Sequence, residues 1–139
     1  MEESAPGRLI SLLADHDVEG HAALLWGVVV SRGWHAFAPT RLKRLDDVGL
    51  SVTATDREVW RFAQANNMLL LTANRKMEGV DSLEQTIRDE NHAEALPVIT
   101  IARPKRLIAP SYRERCAARL FEILSSIESY RGVGRLFIP

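Results

Sequence analysis

The amino-acid sequence predicts an α/β fold, a mainly parallel central sheet with helices covering both of its faces. Short apolar runs carry the prediction: Leu9–Ala14 (LISLLA), Met68–Thr72 (MLLLT) and Pro97–Ile101 (PVITI). Each has the length of a strand buried on both sides rather than that of a helix. Segments of helical pattern lie between them, and strands alternating with helices argue for parallel pairing. With 139 residues, 46% hydrophobic and 26% charged, the chain has the size and composition of one globular domain. Residues 1–7 are expected to form a flexible tail.

Taken in order, LISLLA is the first strand and stops at Asp15-His16-Asp17. Glu19 to Arg32 has a helical pattern that Gly33 closes as the residue after the helix end. Trp34–Ala38 is read as a second strand ended by Pro39, and Thr40–Thr55 as a loop with one helical turn. Thr55-Asp56-Arg57-Glu58 has the S/T-x-x-E form of a capping box, opening a helix to about Asn66 with Val59, Phe62 and Ala63 on one face. MLLLT follows, ending in Asn74-Arg75-Lys76. Asp81 is read as the N-cap of a helix to about His92. After PVITI comes an amphipathic helix from Ser111 whose apolar face is Ala117, Leu120, Phe121, Leu124 and Ile127. Arg135–Ile138 (RLFI) closes the chain as an edge strand ended by Pro139.

Composition narrows the function classes. Lys+Arg and Asp+Glu balance at 18 each, so net charge gives no argument for a duplex-binding protein, although a local patch can still steer a nucleic acid. One cysteine, Cys116, allows no internal disulfide and reads as a small packed residue. The start MEESAPGR lacks the basic and apolar regions of a secretory signal, and the longest apolar run, Ala22–Val30, is too short to span a bilayer. A cytoplasmic protein with no membrane partner is expected. His16, His21, His35 and His92 do not pair at i,i+4, and no nucleophile elbow or phosphate-binding glycine loop is present.

In a parallel sheet, sites form beyond the carboxyl ends of the strands. That rule selects Asp15 to Asp17, the loop after Ala38, and Asn74 to Lys76. Phosphodiester hydrolysis with a hard cation needs oxygen ligands that converge and leave room for water and substrate. Asp15, Asp17, Asp56 and Asn74 are the candidate ligands. Each also has a plain structural use: Asp17 as N-cap of the next helix, Asp56 as an acid favoured in a first turn, Asn74 as a turn residue. Asp15, directly after a buried strand, is the hardest to explain in that way. Arg41, Lys43 and Arg44, and the group Arg103, Lys105 and Arg106 after the fourth strand, are candidate phosphate contacts or solvated loop residues. Trp26, Trp34 and Trp60 read as core before base-stacking surfaces.

These residues also carry a family resemblance. LLADHDV resembles the opening strand and acid of PIN-like domains, and ATDREVWRFAQANNMLLLTANRKM is similar to their central block, in which a strand ends in T-x-D-x-D-F. ITIARPKRL and the helix after it fit their C-terminal part, so the resemblance runs from about Leu9 to Ile138. It is nearest to the short bacterial members related to toxin ribonucleases. It implies a three-layer α/β/α sandwich and an endoribonuclease that uses Mg²⁺ or Mn²⁺. Carried over by position, Asp15 matches the first-strand acid, Asp56 the acid opening the central helix and Asn74 a further acid position, so these three are the catalytic candidates; Asp17 joins them as a candidate metal ligand, and Arg75, Lys76, Arg103 and Lys105 are the candidate RNA contacts. Implied partners are RNA and a small antitoxin-type protein; apolar residues near Trp26 or on the last helix could also make a dimer with a second copy. The sequence departs from the family at Asn74 and Lys76, which stand where two acids are usual, and at Met77, which replaces the phenylalanine. Glu78 or Asp81 can compensate from the next turn. A catalytically degenerate PIN-like binding or regulatory module is the alternative from another class. NRKMEGVDSLEQTIR followed by LPVITI is also similar to response-regulator receiver domains, but Asn74 then replaces their phosphorylated aspartate and no suitable lysine follows the last strand.

Overall fold

The structure, a computed structural model, describes residues 10–37, 40–73 and 78–139. The described strands are β1 (Ser11–Ala14), β2 (Leu42–Arg44), β3 (Met68–Thr72), β4 (Val98–Ile101) and β5 (Arg135–Ile138). They form one sheet in the order β2-β1-β3-β4-β5, parallel at every pairing. The helices are α1 (Glu19–Ser31), α2 (Asp56–Ala65), α3 (Leu83–Glu90) and α4 (Pro110–Ser125). Flanking the sheet on both faces, they complete an α/β/α sandwich.

The two faces follow from the two-residue period of the strands. Leu12 of β1, Leu69 and Leu71 of β3, and Ile99 and Ile101 of β4 point to one side, against Leu25 and Val29 of α1 and Ala117 and Leu120 of α4. Leu13, Leu70 and Val98 point to the other, against Val59, Trp60 and Ala63 of α2 and Leu83 of α3. Both faces of β3 and β4 are buried along their whole length, which is why they read as unbroken apolar runs. Each fully buried leucine or isoleucine contributes roughly 1.5–3 kcal/mol by leaving water.

The helix ends obey local rules, with two corrections. Arg32 caps the end of α1, and Gly33 takes the left-handed conformation, φ 73°, that a residue lacking Cβ adopts without strain. The capping box is complete: Thr55 Oγ1 accepts from Glu58 N–H at 3.1 Å while Glu58 accepts from Thr55 N–H at 2.7 Å. The N-cap of α3 is Ser82, not Asp81, because Ser82 holds extended backbone and accepts from Gln85 N–H at 3.1 Å. Asp17 does not cap α1 either. It is exposed inside a tight turn, His16–Val18, that Asp15 caps, and α1 starts after Val18 without a side-chain cap.

The second strand is also displaced. Trp34–Ala36 forms a tight helical turn, and Trp34 stacks on Phe121 of α4 with ring centroids 5.0 Å apart. That aromatic contact takes the segment away from the sheet. The strand is Leu42–Arg44 instead, within the stretch read as a loop, with Leu42 opposite Leu12 and Arg44 opposite Ala14. Lying at the sheet edge it needs only one apolar side chain, and charged residues on an edge deter further pairing.

Candidate functional site

The chain leaves β1 for β2 on one side and later crosses to β3 on the other. The strand order therefore reverses between β1 and β3, and a crevice opens at their carboxyl ends. Asp15 stands there. Its backbone N–H donates to Leu71 O at 2.9 Å, extending the β1–β3 ladder by one residue and fixing the start of the side chain. Asp15 Oδ1 accepts from His16 N–H at 2.8 Å, and Oδ2 accepts from the Thr72 hydroxyl at 3.1 Å. Thr72 is fully buried at the end of β3. The carboxyl is thus held by one element from each side of the crevice.

Its electrostatics are unusual for an acid with two donors. Burial pushes the Asp15 carboxyl above its ordinary value of 3.8, and the charge of Asp17 pushes it further. The His16 and Thr72 hydrogen bonds work against this, and the charge of Asp56 adds a smaller upward push. Desolvation and like charge outweigh hydrogen bonding, so a negative charge here calls for a cation.

Asp56 is the first residue of α2, half-buried, and its Oδ2 accepts from Leu83 N–H at 3.2 Å. It ties the starts of α2 and α3 together. Beside it lies an open cleft of about 340 Å³ lined by Thr55, Asp56, Glu78, Gly79, Asp81 and Ser82 among others. The calls on Asn74, Arg75, Lys76 and Met77, and on the tail, lie outside the described residues. Among the described residues no three His, Cys, Asp or Glu side chains converge closely enough to hold an ion by themselves.

Sequence reasoning missed Arg57. Its side chain is only 13% exposed and donates to Asp81 at 3.0 Å, Asp89 at 2.8 Å and Glu90 at 2.5 Å, and to the Val80 carbonyl at 2.6 Å. Arg61, one turn on, adds a second contact to Glu90 at 2.7 Å. These arginines hold the Glu90 carboxyl down at about 2, Arg61 the larger cause. Asp81 is therefore engaged as a structural acid rather than free to complete a metal shell. The only local signal was an arginine pair at i,i+4; its acids arrive from α3 and from the turn before it.

Of the basic candidates, Arg103 and Lys105 are exposed on the connector after β4, at the carboxyl end of the parallel strands, as Asp15 is. The connector is anchored by Tyr112, whose hydroxyl accepts from Arg103 N–H at 3.0 Å and donates to the Pro139 carbonyl. Arg106 lies over the Tyr112 ring at 5.3 Å. Lys43 and Arg44 belong to the edge strand β2 and Arg41 directly precedes it, and Arg44 pairs with Asp47 at 3.7 Å. Trp60 and Cys116 are buried, and Trp26 and Trp34 pack half-buried on the core. No helix among the described residues is long and apolar enough to cross a membrane.

The class these features define is an α/β/α domain with an electrostatically strained acid at its topological switch point. Comparison with known proteins gave no significant match, whether to a family model, a curated protein or a solved structure.

Proposed function

We propose that this chain is a PIN-like, Mg²⁺- or Mn²⁺-dependent endoribonuclease centred on Asp15. One observation carries the reading: a carboxylate at the β1/β3 crevice whose pKa is raised by burial and by the charges of Asp17 and Asp56. The donor set suits a small hard cation, which binds through one or two carboxylates and keeps waters and substrate phosphate as its other ligands. Asp15 would hold it, with Asp17 and Asp56 supplying negative field and Asn74 a further oxygen. When bound, such a cation polarises a phosphodiester and lowers the pKa of a coordinated water. Thr72 and His16 N–H orient the Asp15 carboxylate, and Arg103 and Lys105 offer charge to the RNA backbone. A small antitoxin-type protein covering this edge would fit the same reading.

The test is cleavage of single-stranded RNA in Mn²⁺ by wild type and Asp15→Asn. The substitution is expected to lower the rate by about 10²-fold or more, the scale for losing a group that stabilises transition-state charge. Unchanged cleavage would remove Asp15 from the reaction. A second reading, a PIN-like binding module without catalysis, is favoured by Asn74 and Lys76 at the usual acid positions and by the engagement of Asp56 with Leu83 N–H. It expects RNA binding with no metal-dependent cleavage, and cleavage that tracks Asp15 would discard it.

A further inference from the structure

Arg135 opens an otherwise apolar strand, RLFI, yet its side chain turns inward and is only 12% exposed. It stands opposite Val98, on the face of the sheet that α2 and α3 cover. An inward charge on an edge strand deters further pairing, which accounts for a charge at this position. It does not account for where that charge goes. The guanidinium reaches along the sheet to Thr100, two residues nearer the carboxyl end than its own register partner, and Nη1 donates to Thr100 Oγ1 at 2.6 Å.

Thr100 is fully buried and lies in register with Thr72, whose hydroxyl donates to Asp15 Oδ2 at 3.1 Å. Neighbouring strands run about 4.8 Å apart, so the Asp15 carboxylate and the Arg135 guanidinium stand on the order of 10 Å from each other across the end of the sheet. A carboxylate, a small cation, a phosphodiester and a guanidinium joined in line span roughly the same distance, given cation–oxygen bonds of about 2.1 Å and charge-assisted hydrogen bonds of about 2.8 Å. Glu84 faces Arg135 at 3.4 Å and is shared with Arg88 at 3.7 Å. Those contacts are loose beside the 2.5, 2.8 and 3.0 Å pairs that three acids make with Arg57. A phosphate that displaced Glu84 would leave it Arg88, so no acid is stranded.

We infer that Arg135 takes a phosphate of single-stranded RNA beside the Asp15 crevice, with Glu84 holding its place when RNA is absent; this rests on the nuclease reading for its substrate. The planar fork of an arginine suits two phosphate oxygens, and Thr100 fixes one edge of it. The two ends of the site then carry opposite signs. Asp15 offers negative charge to a cation, and Arg135 offers positive charge to the phosphate that such a cation would share. Arg103 and Lys105, exposed on the connector after β4, extend that positive charge along the strand.

Fluorescence anisotropy of a labelled single-stranded RNA, titrated with the full chain in EDTA, reads this contact without the metal. Arg135→Met is expected to bind about tenfold more weakly, the scale of one charged hydrogen bond. It should also lose about 0.7 from the slope of log K against log salt, the contribution of one phosphate on a single strand. Arg135→Lys should keep the slope and recover part of the affinity, because it keeps the charge and lacks the fork. Glu84→Gln should bind more tightly than wild type, by up to about tenfold. An ion pair serving the fold alone would instead give a less stable protein of unchanged affinity. Circular dichroism checks the fold of each variant; should Arg135→Met fail to fold, Arg135→Lys and Glu84→Gln carry the test. Cleavage in Mn²⁺ is scored in parallel. Affinities that move as expected, with no cleavage by wild type, keep Arg135 as a phosphate contact and discard the nuclease reading. Wild-type affinity in both Arg135→Met and Glu84→Gln overturns the inference even where cleavage depends on Asp15, and so does a wild type with no measurable affinity for RNA.

Discussion

Two groups of acids lie on the carboxyl side of this sheet or on the helices beside it, and the protein treats them in opposite ways. Asp81, Asp89 and Glu90 converge on Arg57, and Glu90 is held at about 2. Among the described residues Asp15 has only neutral donors, Thr72 and His16 N–H, and its pKa is raised by burial and by Asp17. An acid already paired with arginine is a fastener; an acid desolvated beside its own kind is one whose charge a cation would stabilise. That difference, rather than a count of carboxylates, singles out Asp15.

The comparison can be broken most forcefully at Arg57. Arg57→Ala leaves Asp81, Asp89 and Glu90 facing one another without their common partner, and is expected to cause the largest loss of thermal stability among these variants at neutral pH. The loss should shrink in acid. The Asp89 contribution, owed first to Arg57, is full above its ordinary 3.8. The Arg57 share of the Glu90 contribution is full above its ordinary 4.5, and both fade as pH falls through the lowered folded values. Melting curves of wild type and variant at pH 7 and near pH 3 would show it, and an equal loss at both pH values would contradict the ion-pair explanation.

Asp15→Asn is expected to act with the opposite sign. Because the folded pKa is raised, ionising Asp15 costs stability; the cost is absent below 3.8 and sets in as pH rises through the folded value. Without metal, the variant should melt above wild type at pH 7 and level with it in strong acid. A variant less stable at neutral pH would mean that the carboxylate serves the fold. Thr72→Val, which removes the hydroxyl orienting Asp15, should weaken cation affinity about tenfold, the scale of a lost partner behind a metal ligand, as read from binding isotherms. Thr55→Ala removes one half of a capping box and should cost only ~1 kcal/mol in denaturant unfolding.

Much of the architecture was legible because buried parallel strands need unbroken apolar runs: LISLLA, MLLLT and PVITI placed β1, β3 and β4 to within a residue or two, and the Thr55 capping box placed the start of α2. β2 was missed because an edge strand reading Leu-Lys-Arg looks like a loop, and because Trp34 is drawn away by Phe121. At the site, Asp15 was found by its position after a buried strand. Its relation to Asp56 and Thr72 exists only once β1, α2 and β3 are assembled. Arg57 was invisible for the same reason, since Asp81, Asp89 and Glu90 reach it across the packing of α2 on α3. The alternative role offered for Asp17, capping α1, fell to a turn that Asp15 caps.

The most direct measurement is calorimetric titration of Mg²⁺ and Mn²⁺ into the full chain and into Asp15→Asn under identical conditions. The expected result is saturable binding by wild type that is lost in the variant, placing the missing counter-charge at the β1/β3 crevice. An absence of wild-type binding at millimolar metal, or the same isotherm from both proteins, would contradict a cation centre at Asp15.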